Sequence, residues 1–288
     1  MNEINLKLFD VKIKIISDIK EDINNIKYIF KKYISYEKNS DIIIKIDSDN
    51  DKKLDIMDAL SCFSCNFNNK VYYKLTNNKN FKEWTSKNTF LPPIDTNLFL
   101  NKFLILHGVG LYKDNKTFIF LGDNFSGKSS ILLYGLIHGY KCISDDLLFY
   151  DIDKEKIIPY YKPAGFRSSS KNISPEFLSL YDSISKIEHK DFLNKSNNVT
   201  TRIFHLDDLF QNPYIKFEVP INNIFFLSDF NKNNLSFDER ITLIEKGCCS
   251  SNIDYETKFK SIIKINEKVE SIKYIKKKGN LYELFKTL

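Results

Sequence analysis

A glycine-rich segment with one lysine and three serines stands between two apolar runs near the middle of the chain. It reads GDNFSGKSS, residues 122–130, and fits the spacing G-x-x-x-x-G-K-S. Glycines at both ends of such a loop let backbone N–H groups converge on an anion, and a helix that begins at the lysine directs its positive end to the same point. The pattern predicts a phosphate-binding loop.

The polar side chains of this loop suit a nucleoside triphosphate and its metal ion. The ammonium group of Lys128 can reach the β- and γ-phosphates, and the hydroxyl of Ser129 is placed to ligate Mg²⁺. We therefore predict that nine consecutive residues bind the nucleotide: Gly122, Asp123, Asn124, Phe125, Ser126, Gly127, Lys128, Ser129 and Ser130.

The elements on either side of the loop are those that the motif requires. TFIFLG, residues 117–122, is a short apolar run typical of a buried strand, and SSILLYGLIHG, residues 129–139, predicts a helix that stops at a glycine. A strand, loop and helix in this order are the context in which a G-x-x-x-x-G-K-S match is specific.

A pair of aspartates follows one helix later. Asp145 and Asp146 lie 17 and 18 residues after Lys128, which leaves room for the helix, a turn and the short strand KCIS. The pair should then lie at the carboxyl end of that strand, where open α/β sheets bind ligands. One carboxylate could hold Mg²⁺ while the other accepts a proton from an attacking hydroxyl. A solvated pair of turn aspartates is the alternative.

These motifs together resemble a known family. The stretch LHGVGLYKDNKTFIFLGDNFSGKSSILLYGLIHGYKCISDD is similar to the nucleotide-binding core of HPr kinase/phosphorylase and its relatives, P-loop kinases with a phosphoenolpyruvate carboxykinase-like fold. In that family a His-Gly pair ends one strand, and an Asp-Asp pair follows the phosphate loop. Here His107 precedes Lys128 by 21 residues, which matches the family's spacing.

The resemblance implies a kinase and assigns roles within it. It implies ATP and Mg²⁺ as cofactors, Asp146 as general base, Asp145 as a support for that base or a metal ligand, and His107 as an active-site residue together with Lys128. It extends with less specificity over about residues 100–288. Within that range PYYKPAGFR, residues 159–167, makes Arg167 a candidate phosphate or substrate contact.

The sequence differs from HPr kinase itself at two functional positions. Ser130 stands where that enzyme has a glutamate, and KPAGFRSSS contains no carboxylate where that enzyme has a metal-binding glutamate. The chain thus more closely resembles the single-function relatives. We expect transfer of the γ-phosphoryl group to a Ser or Thr hydroxyl of a peptide or protein, such as a ribosomal peptide precursor. A small-molecule kinase, for example one acting on free serine, and a nucleotide-gated switch without phosphotransfer are the alternatives.

The remaining sequence predicts an α/β chain with two parts. Residues 1–90 form an α/β lobe, a candidate for acceptor recognition, in which 6–16, 41–47 and 70–76 favour strands and 21–34 favours a helix. PPID, residues 92–95, marks the break before the kinase core, residues 91–288, and Asp95 could cap a helix within residues 96–107.

Composition limits the partners. The net charge of +6 comes with acidic residues interspersed among the lysines, which favours a solvated surface over a nucleic-acid site. No apolar run is long enough to cross a bilayer, and the first residues lack the features of a signal peptide. We expect a cytoplasmic protein that does not bind membranes, and leave open a homo-oligomer.

Overall fold

The chain separates into two units, Met1–Leu100 and Asn101–Leu288. The structure is a computed structural model. It describes residues 1–47, 70–75, 82–84, 102–123, 125–194, 199–228, 234–249, 253–276 and 281–288. Both units are mixed α/β, and each contains a sheet with parallel and antiparallel strand pairs.

The first unit has one sheet and one α-helix among its described residues. The sheet runs in the order β1-β2-β3-β4-β5. Its elements are β1 (Asn2–Leu8), β2 (Val11–Ser17), α1 (Lys20–Ile29), β3 (Ile42–Asp47), β4 (Lys70–Leu75) and β5 (Lys82–Trp84). The single strand predicted for residues 6–16 is wrong. Phe9 has a φ of 52°, and the chain reverses there into a hairpin.

The second unit is built on a larger sheet around one long strand. This sheet runs β10-β9-β6-β7-β14-β15, with β8 also pairing β6. Its strands are β6 (Phe103–Lys113), β7 (Lys116–Gly122), β8 (Lys141–Ser144), β9 (Leu147–Asp151), β10 (Lys156–Ile158), β14 (Asn223–Ser228) and β15 (Ser271–Lys276). The central strand β6 is antiparallel to β7, β8 and β9. A smaller antiparallel sheet runs β11 (Ala164–Arg167), β13 (Val199–Phe204), β12 (His189–Asn194).

Helices flank the larger sheet, and each of its faces is covered by an apolar cluster. The described α-helices of this unit are α2 (Lys128–Ile137), α3 (Pro175–Ile184), α4 (Phe237–Gly247), α5 (Tyr255–Lys268) and α6 (Leu281–Thr287). The strand predicted for 117–122 and the helix predicted for 129–139 are confirmed as β7 and α2. None of the helices that the structure describes is long and apolar enough to span a membrane.

The helix expected within residues 96–107 is wrong where the structure describes it. Residues 103–107 belong to β6, and Phe103, Leu104, Ile105 and Leu106 are all buried. A strand covered on both faces shows a continuous apolar run instead of alternation, and such a run does not distinguish strand from helix. Asp95 and residues 96–101 lie outside the described residues.

Candidate functional site

The phosphate loop connects the end of β7 to the start of α2. Gly122 is the last residue of β7, and Gly127 immediately precedes α2 with a φ of 103°. A Cβ at Gly127 would meet nothing within 4 Å, so the left-handed backbone, and not crowding, favours glycine there. Phe125 shares this conformation, with a φ of 64°. Asn124 lies outside the described residues, and Ser129 and Ser130 form the first turn of α2.

Lys128 folds back over its own loop. Its Nζ donates to the carbonyl oxygens of Gly122 at 2.6 Å and Asp123 at 2.8 Å. The side chain is buried, and this burial lowers the pKa of Lys128, although the charges of Asp146 and Asp145 oppose the shift. The ammonium group therefore lies in the loop, where the charges of the aspartate pair act on it.

The hydroxyl of Ser126 is also buried in this loop. Ser126 is 2% exposed, and its Oγ has no hydrogen-bond partner among the described residues. A buried hydroxyl without a partner costs roughly 1–3 kcal/mol of stability, and a ligand oxygen that accepted its hydrogen bond would remove this cost.

The aspartate pair forms the turn between β8 and β9. The backbone N–H of Gly108 in β6 donates to the carbonyl oxygen of Asp146 at 3.0 Å, which ties the turn to the central strand. Gly108 has no room for a side chain, because a Cβ there would lie 2.6 Å from the carbonyl oxygen of Phe120. Asp146 has a φ of 72°, a conformation that is uncommon for a non-glycine residue and is concentrated at functional sites.

Two cationic or hydrogen-bonding groups hold the carboxylate of Asp146. Its Oδ1 lies 3.1 Å from Nε2 of His107, and its Oδ2 accepts from Nζ of Lys162 at 2.8 Å. Burial by itself would raise the pKa of Asp146. The charge of Lys162 and the hydrogen bonds from His107 and Lys162 outweigh that effect and lower the pKa below its usual range. Asp146 is thus kept ionised.

Its neighbour Asp145 has the opposite electrostatic character. Asp145 is 7% exposed, and desolvation raises its pKa to about 6, although Lys162 and Lys128 act against the rise. Two adjacent carboxyl groups with pKa values pushed apart are typical of sites in which the two have different tasks.

Arg167 approaches the phosphate loop from the smaller sheet. It is the last residue of β11, and its guanidinium carbon lies 4.2 Å from the centre of the Phe125 ring. Partial desolvation lowers the pKa of Arg167, while the charge of Asp145 raises it. Because the charges of Arg167 and both aspartates also act on Lys128, these groups share one electrostatic environment.

The structure therefore brings together most of the residues that the sequence singled out. His107 and Asp146, 39 residues apart, are in contact. Lys128, Asp145 and Arg167 interact electrostatically beside them. Lys162 was missed, because one lysine in a chain with 43 lysines and arginines carries no signal of its own.

Ser129 and Asp145 are the residues that could hold Mg²⁺. The described residues contain no group of three or more His, Cys, Asp or Glu side chains arranged for a metal ion. Mg²⁺ at nucleotide sites commonly takes one or two protein ligands and completes its shell with phosphate oxygens and water, which suits so sparse a donor set.

Comparisons with known proteins give little that bears on function. No family model matches the chain, and no curated protein matches it. Among solved structures, the HPr(Ser) kinase/phosphatase from Coxiella burnetii is similar at 14% identity and a TM-score of 0.26. The match covers 46% of this chain and 65% of that one, so it falls short of two thirds of that protein's length. A likeness this weak carries no functional argument.

Proposed function

We propose that the chain is an ATP- and Mg²⁺-dependent kinase that transfers the γ-phosphoryl group to a Ser or Thr hydroxyl of a peptide or protein. The observation that carries this proposal is the position of the ionised Asp146, clamped by His107 and Lys162, in the electrostatic environment of the phosphate-loop lysine. A phosphate loop alone serves many nucleotide-binding functions, whereas a fixed carboxylate beside it provides for an attacking hydroxyl.

The loop fits a triphosphate on its own structural features. Gly127 at the start of α2 has the left-handed backbone of an anion nest, and α2 is long enough, at ten residues, to present a helix N-terminus. The unpartnered Oγ of Ser126 and the ammonium group of Lys128 provide further donors. Lys128 would exchange its two carbonyl partners for phosphate oxygens.

Asp145 and Ser129 would hold the metal ion. The buried Asp145 has an unfavourable desolvation that a cation would relieve, and its pKa near 6 leaves it mostly ionised at neutral pH. When bound, Mg²⁺ neutralises charge on the phosphate oxygens during transfer. The role of Asp145 would thus be electrostatic.

Asp146 would orient the acceptor hydroxyl and take its proton. A carboxylate with a lowered pKa is a weak base, but phosphoryl transfer passes through a loose transition state in most analyses, so positioning of the hydroxyl matters more than basicity. The two contacts to Asp146 fix both of its oxygens, and the side chain is still 34% exposed, which leaves room for an acceptor to approach.

We infer that residues 91–288 form a phosphoenolpyruvate carboxykinase-like P-loop kinase core. The phosphate loop between β7 and α2, the His107–Asp146 contact and the aspartate turn after β8 support this assignment.

The test is to follow the γ-phosphate. The full chain would be incubated with Mg²⁺ and γ-labelled ATP in the presence of a Ser/Thr peptide library or free serine, with the Asp146→Asn protein as control. We expect label on peptide hydroxyls with the native chain and not with the variant. Label on free serine alone would favour the small-molecule kinase. Label in water only, or ATP that is bound but never cleaved, would overturn the kinase in favour of a nucleotide-gated switch.

A further inference from the structure

Phe125 is an unusual residue for the tip of a phosphate loop. It is a large aromatic residue with a φ of 64°, and it is 64% exposed. Bulky residues disfavour the left-handed region, and an exposed ring loses the benefit of burial. Neither backbone nor core packing therefore accounts for a phenylalanine at this position, and glycine would suit the backbone better.

The contact that Phe125 does make is with a guanidinium group. Arg167 lies over the ring at 4.2 Å, within the range of a cation–π interaction. In the described part of the chain, the side chain of Arg167 has no hydrogen-bond or ion-pair partner, so its five guanidinium N–H donors are uncommitted.

The other two arginines of the chain contrast with Arg167. Arg202 packs on the Tyr181 ring at 3.7 Å and donates to the Tyr181 carbonyl oxygen and the Ser185 hydroxyl. Arg240 donates to the carbonyl oxygen of Asn266. Both therefore have structural roles, whereas Arg167 is held by a contact that leaves its donors available.

The charge of Arg167 acts at the end of the loop where the γ-phosphate is expected. It interacts electrostatically with Lys128, whose ammonium group is predicted to reach the β- and γ-phosphates, and with Asp145. A guanidinium group suits this place, because its planar fork can donate two hydrogen bonds to one phosphoryl group.

We propose that Phe125 is a positioning residue that holds the guanidinium group of Arg167 over the phosphate loop, ready to bind the γ-phosphoryl group of the nucleotide. This inference rests on the proposed function, since it presupposes a nucleoside triphosphate in the loop. The ring fixes Arg167 without using its donors. The nucleotide would thus bind to a site in which the guanidinium group of Arg167 is already in place beside the ammonium group of Lys128.

The experiment measures how strongly the protein prefers a triphosphate to a diphosphate. Dissociation constants for ADP and for a non-hydrolysable ATP analogue, both with Mg²⁺, would be measured by calorimetry. The proteins are the native chain, Phe125→Gly, Phe125→Tyr, Arg167→Ala and the double variant Phe125→Gly/Arg167→Ala. Tyr282→Ala is a matched control, because Lys286 lies over the Tyr282 ring at the same 4.2 Å, on α6.

Phe125→Gly should lower the preference for the triphosphate about fivefold, the size of one exposed cation–π contact. It should leave the melting temperature unchanged or raise it, because glycine relieves the left-handed backbone. Phe125→Tyr should keep the preference for the triphosphate, because tyrosine retains the aromatic ring. Tyr282→Ala should keep it as well. The double variant should lose no more of the triphosphate preference than Arg167→Ala does alone, since Phe125 acts through Arg167.

Two results would overturn the inference while leaving the proposed function intact. One is an unchanged preference in Phe125→Gly, and the other is a loss in the double variant equal to the product of the single losses. If the native chain binds neither nucleotide, the proposed function fails and this inference fails with it.

Discussion

Lys162 makes a direct ion pair with Asp146, with Nζ 2.8 Å from Oδ2. The side chain of Lys162 is only 9% exposed, so its charge is largely shielded from solvent, whereas the Asp146 side chain remains 34% exposed. Lys162 lies in the irregular segment between β10 and β11, beyond the strand β9 that starts beside Asp146. The contact joins the chain that enters the smaller sheet to the aspartate turn of the larger one, and it fixes the orientation of the carboxylate.

The first prediction concerns Lys162. Replacing it by methionine keeps most of its volume and removes the charge, and turnover should fall about 100-fold because the Asp146 carboxylate is no longer fixed. The dissociation constant for nucleotide should change little, since the phosphates are expected to be held by the loop and Lys128. Lys162→Arg should recover part of the turnover, and steady-state kinetics with a binding titration would measure both. Equal turnover in the methionine and native proteins would refute the positioning role.

Asp146→Asn gives a second prediction. Asparagine retains the shape but neither the charge nor the proton acceptor, so single-turnover phosphotransfer should slow by roughly 10²–10⁴-fold. Nucleotide binding should be retained, because the phosphates are held by the loop. Rapid-quench measurement at saturating ATP separates the two effects. Full phosphotransfer by the variant would show that Asp146 is not the base.

Much of the site could be predicted from sequence because its motifs are local. The phosphate loop is a run of neighbouring residues whose spacing reports its conformation, and the length of one helix placed the aspartates after β8. Lys162 could not be predicted, because its contact depends on the path of an irregular segment. The same applies to the Arg167–Phe125 contact, which depends on how the smaller sheet lies against the loop.

The fold shows where local patterns fail. The run 103–107 is apolar on both faces, so it has no periodicity by which to recognise β6. The β1–β2 hairpin turns at Phe9 and Asp10 without a glycine, and the only sign of the turn in the polar–apolar alternation is that Leu8 and Phe9 are both apolar. In both cases tertiary pairing, and not local preference, decides the structure.

The third prediction uses the two ends of α2. Lys128→Met should weaken nucleotide binding at least tenfold and lower turnover as well, because it removes the cation from the loop. Lys113→Met removes the same charge near the opposite end of the helix, where Lys113 Nζ donates to the carbonyl oxygen of His138 at 3.3 Å. That control should bind nucleotide normally. Similar losses in the two variants would indicate a general effect of charge and would argue against a specific phosphate contact.

The last prediction is a pH dependence of stability that arises from Asp145. Its folded-state pKa of about 6 exceeds the ordinary value of 3.8, so the folded protein binds this proton more tightly than the unfolded chain does. Stability is therefore lost as the pH rises from about 4 to about 6. The loss is complete above that window and corresponds to about 3 kcal/mol at most.

Asp145→Asn cannot ionise and should escape this loss. Without divalent metal, the variant should melt about 5 °C or more above the native protein at pH 7.5, and the difference should nearly vanish at pH 4. Adding Mg²⁺ with the ATP analogue at pH 7.5 should reduce this difference in melting temperature. Ligand binding stabilises a folded protein, and the native carboxylate is a better metal ligand than the asparagine amide, so the native protein should gain more. Thermal denaturation followed by circular dichroism measures the difference in melting temperature at pH 7.5, at pH 4, and at pH 7.5 with Mg²⁺ and the analogue. A difference that does not vary with pH would show that Asp145 is not desolvated in the folded protein.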